Sequence, residues 1–180
     1  MSNRPADRPA DSVLIRPPRT EDGAAVHALI TRCKPLDENS MYCNLLQCSH
    51  FAETCALAER DGAVVGFVSG YLVPGTGDAL FVWQVAVAPE ARGLSLGRRL
   101  MQDILSRPVC RGVRELHTTI TPDNEASQAM FSSLARRLDA GVRRRVLFDR
   151  ERHFGGVHES EQLWVIGPFE SQVRLPQAAE

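Results

Sequence analysis

The residues with the most readable chemistry are Val85-Ala-Val87-Ala-Pro-Glu-Ala-Arg92-Gly93-Leu94-Ser95-Leu96-Gly97-Arg98-Arg-Leu100. An apolar strand-like run ends there, a glycine-containing turn follows, and an amphipathic helix starts. Helix N-termini present unpaired backbone N–H groups and partial positive charge, so such a junction can hold phosphate. Small residues let the backbone approach a pyrophosphate closely, and Arg92 and Arg98 add charge. An ordinary strand–turn–helix junction with surface arginines has the same pattern, because short glycine patterns are common. A nucleotide P-loop would need Gly-Lys-Ser/Thr where Arg98-Arg99 stands. A dinucleotide fold would need repeated parallel strand–helix–strand units, whereas three strands in a row precede this helix.

Other clusters carry less. Cys43, Cys48, His50 and Cys55 lack a paired Cys-x-x-Cys spacing, and Cys43 and Cys48 point to different sides of a helix. They read as buried or half-buried thiols, with no metal expected. Arg143-Arg144-Arg145 at a strand start reads as solvent-facing or paired with carboxylates, not as a nucleic-acid patch. His117 reads as a satisfied core histidine.

The elements that must position the loop follow from punctuation and periodicity. A first strand covers 12–16 and ends at Pro17-Pro18. Thr20 can cap a helix with Glu21 and Asp22 in its first turn and Val26, Leu29, Ile30 and Cys33 on one stripe. Pro35 ends it. A second helix spans about 39–50, with Tyr42, Leu45 and Leu46 as its apolar members. Strands at 54–59, 63–73 and 79–87 form an antiparallel meander, turned by Asp61-Gly62 and by Pro74-Gly75-Thr76-Gly77. The third is apolar on both faces, as a covered central strand should be. A helix over 97–107 stops at Pro108. A strand at 113–120, a helix opening at Asp123-Asn124, and strands at 142–148 and 163–166 complete the chain. This order predicts an α/β sandwich: a mixed central sheet of about seven strands with four helices.

The 180 residues, 43% of them hydrophobic, suffice for one domain with one core. We expect a disordered tail over 1–11, a domain over 12–169 and a C-terminal tail over 170–180. A net charge of -1 gives no global argument for nucleic acid or an acidic membrane surface. No apolar run approaches the roughly 20 residues of a membrane span, and the N-terminus lacks a signal peptide's apolar stretch. Five cysteines, an odd number, point to unpaired thiols and a cytoplasmic setting.

Arg-Gly-x-x-x-Gly after Val-Ala-Val-x-Pro resembles the coenzyme A signature of the Gcn5-related N-acetyltransferases, and the element order is theirs as well. The resemblance covers about 12–169. That family's Gln/Arg-x-x-Gly-x-Gly/Ala stands here as Arg92-x-x-Ser95-x-Gly97, with serine for the middle glycine. The resemblance implies acetyl-CoA as co-substrate, gripped by Arg92, Gly93, Leu94, Ser95, Leu96, Gly97 and Arg98. It implies that a splayed central strand pairs with the pantetheine arm through Val87 and offers the Val85 N–H to the thioester oxygen, where attack develops negative charge. Asn124, Ser127 and Phe131 resemble the second coenzyme A contact. Many relatives carry a tyrosine acid where Phe131 stands, and phenylalanine cannot protonate a thiolate. Direct transfer in a ternary complex is then expected.

Longer segments are similar to one subfamily, the L-2,4-diaminobutyrate acetyltransferases of ectoine synthesis. They are Pro35-Leu-Asp37-Glu-Asn-Ser-Met-Tyr42, His50-Phe51, Val65-Gly-Phe-Val-Ser-Gly-Tyr71, Trp83-Gln-Val-Ala-Val87, Thr118-Thr-Ile-Thr-Pro-Asp-Asn124 and Gly155-Gly-Val-His158-Glu159. The acceptor so implied, acetylated on its 4-amine, has two ammonium groups and one carboxylate. Asp37, Tyr42, Trp83, His158 and Glu159 are the residues this resemblance offers for it. Glu159, Asp37 or His158 could take the proton from the amine. The same fold acting on another small amine, or an acyl-CoA sensor without catalysis, stays open, and a homodimer is what the family implies.

Overall fold

The computed structural model describes residues 13–172. The tail expected over 1–11 lies outside them, as do residues 173–180. Seven strands form one sheet: β1 (Leu14–Arg16), β2 (Ala56–Arg60), β3 (Ala63–Leu72), β4 (Ala79–Val87), β5 (Glu115–Ile120), β6 (Val142–Phe148) and β7 (Glu161–Ile166). Their spatial order is β1-β2-β3-β4-β5-β7-β6, antiparallel throughout except for the parallel pair β4–β5. The helices are α1 (Gly23–Arg32), α2 (Met41–Ser49), α3 (Leu96–Leu105), α4 (Glu125–Arg137) and α5 (Arg150–Phe154). The sheet and the α/β class agree with the sequence reading, and α5 adds to its four helices. Five residues are too few to show a helical repeat; a cap holds them, with the Asp149 carboxylate accepting from the Glu151 and Arg152 amides at 3.0 Å each.

Apolar stripes seat the helices on the sheet. Val26, Leu29 and Ile30 of α1 and Leu100, Met101 and Ile104 of α3 join Leu57, Phe67, Val68 and Leu80 in one buried cluster. The meander forms as expected, and both Asp61 (φ 52) and Gly62 (φ 77) adopt the left-handed region that a two-residue hairpin turn requires.

Two expectations fail locally. Thr20 does not cap α1: residues Thr20–Asp22 form a 3-10 turn, and the Asp22 carboxylate instead accepts from the Arg19 amide at 2.6 Å and from Arg16 at 2.7 and 2.9 Å. The ion pair with Arg16 draws the acid into the turn. On α2 the buried residues are Asn44, Gln47 and Cys48, while Tyr42 is 69% exposed. Burying these amides is tolerable because three of their four polar atoms find partners, and among the described residues only Gln47 Nε2 of the pair finds none. Asn44 Oδ1 lies 3.0 Å from His27 Nδ1 on α1, and its Nδ2 donates to Gln47 Oε1 at 3.0 Å. Apolar counting cannot see such a ladder.

The feature that matters most for function is where the sheet comes apart. β4 and β5 pair only from Ala79↔Glu115 to Phe81↔His117. Just beyond, Ser69 and Gly70 of β3 oppose Gln84 and Val82, so Trp83 is an extra residue on β4 and bends it away from β5. β4 continues to pair with β3 as far as Val87↔Gly66. The Ala88 amide donates to Val65 O on that side at 2.9 Å. Backbone groups alternate sides along a strand, so the N–H groups of Val87 and Val85 point into the opening.

Candidate active site

The opening joins two cavities that share Pro35, Leu36, Val85, Asn124, Ala126 and Ser127. One is a groove of about 680 Å3 along the start of α3; the other is a chamber of about 950 Å3 between β4, β5, the loop around Asp37 and the segment after α5.

Backbone shapes the groove. The first helical bond of α3 runs from the Arg99 amide to Ser95 O at 3.0 Å, which leaves the Leu96, Gly97 and Arg98 amides ahead of the hydrogen-bonded ladder. The turn bends tightly enough to place Gly93 (φ 83) and Ser95 (φ 54) in the left-handed region. Glycine takes that conformation freely, but Ser95 carries a Cβ there and is strained by about 1 kcal/mol. Gly97 has a separate role: a Cβ on it would stand 2.8 Å from Met130 Sδ and 3.0 Å from Val85 Cγ1. Only hydrogen there lets α3 meet β4 and α4. Among the described residues the groove's charged side chains are Lys34, Arg92 and Arg98, all cations, and buried Arg98 Nε has no hydrogen-bond partner. An orphaned guanidinium nitrogen, free amides and uniform positive charge fit a diphosphate. The Val87 carbonyl accepts from the Cys33 thiol at 3.4 Å.

Side chains shape the chamber. Asp37, Trp83, His158 and Glu159 all line it, as do Val85, Asn124, Ser127 and Phe131. Trp83 is half exposed because the bulge turns it out of the sheet, which corrects the reading of β4 as apolar and covered on both faces. Ser40 caps α2, accepting from the Cys43 amide at 3.1 Å. The Asp37 loop is tied down by Gln84, whose amide donates to Asp37 O at 2.8 Å and accepts from Asn39 at 3.1 Å. Asn124 caps α4 through the Ser127 amide at 3.0 Å and faces both cavities. Arg92, Gly93, Ser95, Leu96, Gly97, Arg98 and Val87 line the groove. Leu94 and Tyr42 are not brought to either cavity; both are exposed.

The sequence reading missed two chamber residues. Glu161, the first residue of β7, has its carboxyl raised above the ordinary value, chiefly by burial. The charges of Asp37 and Asp123 push the same way, and the Thr119 hydrogen bond and His158 oppose them. A desolvated acid beside a reaction chamber suits proton removal. An acid opening an apolar strand two residues after Glu159 was the available signal. The second is Arg150, which pairs with Glu159 at 2.5 Å.

An open strand edge beside a helix N-terminus, joined to an acidic chamber, is a site for transfer from a phosphate-bearing carrier. Residues 24–135 match the acetyltransferase (GNAT) family, and the chain belongs to that family. Within it, the chain is 51% identical over 159 residues to the L-2,4-diaminobutyric acid acetyltransferase of Methylotuvimicrobium alcaliphilum, covering 88% of this chain and 92% of the relative. The enzyme of the same name from Bordetella parapertussis is 51% identical, with coverages of 86% and 84%. Among solved structures, the diaminobutyrate acetyltransferase from Paenibacillus lautus, in complex with L-2,4-diaminobutyric acid and coenzyme A, superposes with a TM-score of 0.84. It is 38% identical and covers 88% of this chain and 96% of its own.

Proposed function

We propose that this acetyltransferase moves the acetyl group of acetyl-CoA to the 4-amine of L-2,4-diaminobutyrate, giving N4-acetyl-L-2,4-diaminobutyrate. The observation that carries the reading is the junction at Val85: a free amide on an opened strand, with a cationic groove on one side and a carboxylate-rich chamber on the other. The names of the similar enzymes agree with it.

The residues divide the work as follows. The groove holds the diphosphate at the start of α3 and lays the thioester along β4. An alkylamine has a pKa of roughly 10, so it arrives as ammonium, and Glu161 takes one of its protons. The freed lone pair attacks the thioester carbonyl, and the Val85 N–H stabilises the negative oxygen that forms. Collapse breaks the C–S bond and expels a thiolate. Phe131 has no proton to give, so the thiolate takes the second proton of the acylated nitrogen, leaving a neutral amide and a free thiol. Most of the acceleration comes from holding the reactants together.

The same reading places one catalytic domain over 12–169, working in the cytoplasm on the acetylation step of ectoine synthesis, which supports osmoprotection. Among the described residues no helix is long and apolar enough to cross a membrane. A homodimer suits the apolar side chains exposed on the edge strand β6, Val146 and Phe148, and exposed Tyr42.

The test is thiol release with acetyl-CoA and a panel of diaminobutyrate, ornithine, putrescine and a peptide amine, with products located by NMR. Diaminobutyrate should have the highest kcat/KM by at least about 100-fold, within the range of about 10⁴–10⁵ that buried polar groups needing a matching partner can reach. No preference for it overturns the acceptor. Tight acetyl-CoA binding without thiol release on any amine overturns catalysis.

A further inference from the structure

The chamber has a lopsided charge. Asp37, Asp123, Glu125, Glu159 and Glu161 line it, and among the described residues Arg150 is its only arginine or lysine. Five carboxylates suit ammonium groups and repel a carboxylate. An α-amino acid acceptor brings a carboxylate nonetheless, and a single formal cation is there to meet it. Arg150 opens α5 and is anchored there, its amide donating to Ser160 Oγ at 2.9 Å. Its guanidinium, 48% exposed, spans to Glu159 and lies 3.6 Å from Glu151.

We propose that Arg150 is the specificity residue that receives the acceptor's α-carboxylate, and that the Arg150–Glu159 pair is the receptor for the whole amino-acid head group. This inference rests on the reading of the chain as an acetyltransferase of a diamino acid. A head group carries a carboxylate and an ammonium on one carbon, and the ion pair presents the complementary cation and anion side by side. Entering between them, the carboxylate takes the guanidinium fork and the α-ammonium takes Glu159. The one ion pair between Arg150 and Glu159 is exchanged for two with the head group. Breaking the existing pair costs little, because half-exposed ion pairs contribute little to the folded state. A planar guanidinium holds a carboxylate through two parallel bonds, which fixes direction as well as position.

Two consequences distinguish this from a generic acidic pocket. Diamines without a carboxylate are rejected, because they leave the guanidinium engaged with Glu159 and find no anchor. The choice of amine is also set at this end: with the α-ammonium held at Glu159, the remote amine is the one left to reach the thioester beside Val85.

The probe pair is L-2,4-diaminobutyrate and 1,3-diaminopropane, the same chain without its carboxylate. Diaminopropane is measured as a substrate or, where turnover is below detection, as a competitive inhibitor. In the wild type, diaminobutyrate should be preferred. In Arg150→Gln that preference should fall by about 100-fold, mostly through KM for diaminobutyrate, consistent with losing a charge-assisted bidentate contact. Arg150→Lys, which keeps charge but loses the fork, should fall in between. NMR of the Arg150→Gln product should show acetylation at the 2-amine alongside the 4-amine. An unchanged KM for acetyl-CoA in both variants reports an intact fold. An unchanged preference in Arg150→Gln, or loss of both acceptors in equal proportion, overturns the inference and leaves the proposed function standing. Wild-type protein that ignores diaminobutyrate overturns the proposed function itself, and this inference with it.

Discussion

The groove and the chamber meet at one amide yet are built on opposite plans. The groove is made of main chain: three leading amides of α3, two left-handed residues, a glycine that admits close packing, and cations only. The chamber is made of side chains drawn from the Asp37 loop, β4, β5, α4, α5 and β7, and it is predominantly anionic. Main-chain recognition ties a site to spacing along one continuous stretch. Side-chain recognition ties it to whatever the fold brings together, so the acceptor end can change chemistry while the donor end stays fixed.

Glu161→Gln should separate the two regions most sharply. Removing a general base costs on the order of 10³ in rate, so kcat/KM for diaminobutyrate should drop by that much while KM for acetyl-CoA holds. In the wild type, activity should fall as pH drops through the Glu161 pKa, which lies above the ordinary 4.5 because burial disfavours the charged form. A protonated acid cannot accept a proton, so a pH–rate profile of the variant should lack this limb. A variant with full activity would move the base elsewhere in the chamber.

Gly97→Val attacks the groove. Its Cβ would land 3.0 Å from Val85 Cγ1, forcing α3 away from β4. Overpacking of this kind costs about 1–3 kcal/mol. We expect KM for acetyl-CoA to rise about 10-fold or more, against an unaltered KM for diaminobutyrate; parallel changes in both would erase the division.

Asp22→Asn serves as a control remote from both cavities. The Asp22 carboxyl is held below its ordinary value mainly by the hydrogen bonds from Arg16, and it is mostly buried. Chemical denaturation should show a loss of about 2 kcal/mol, with neither KM moved. Because the folded pKa is the lower one, this stabilisation is present above the unfolded carboxyl's pKa. It fades as pH falls through the folded value, so the gap between wild type and variant should close in acid.

The smallest effect is expected at Ser95→Gly. Relieving a left-handed serine should stabilise the protein by about 1 kcal/mol, or about 2–4 °C in Tm for a chain of this size. Acetyl-CoA affinity should rise slightly or hold. A large loss of affinity would instead mean that the serine hydroxyl contacts phosphate.

The same division explains what could be read from the sequence. The Asp61-Gly62 hairpin, the α3 stripe and the loop ending at Gly97 are local: turn chemistry and a 3.6-residue repeat specify them within about fifteen residues. The packed face of α2 escapes apolar counting because it is a ladder of Asn44 and Gln47, joined to each other and to His27 by hydrogen bonds rather than by apolar contact. Glu161 has only its place at the head of an apolar strand to mark it in the sequence; burial and the charges of Asp37 and Asp123 create its altered acidity only after folding. Arg150 carried no signal for a related reason, since a five-residue helix leaves no periodicity to place it. Trp83, named through family likeness, owes its position to a single unmatched residue in the β3–β4 register.

That unmatched residue has a thermodynamic consequence. From Val82 to Val87 the sheet's middle strand is laced to one neighbour where an interior strand ordinarily has two, so the ligand that docks along it supplies part of the tertiary scaffold. By mass action, a donor present at 100 times its dissociation constant adds about 2.7 kcal/mol to the folded state. The enzyme's resistance to heat and proteolysis should therefore rise and fall with the cell's supply of activated acetate, giving a protein whose lifetime registers the metabolite it consumes.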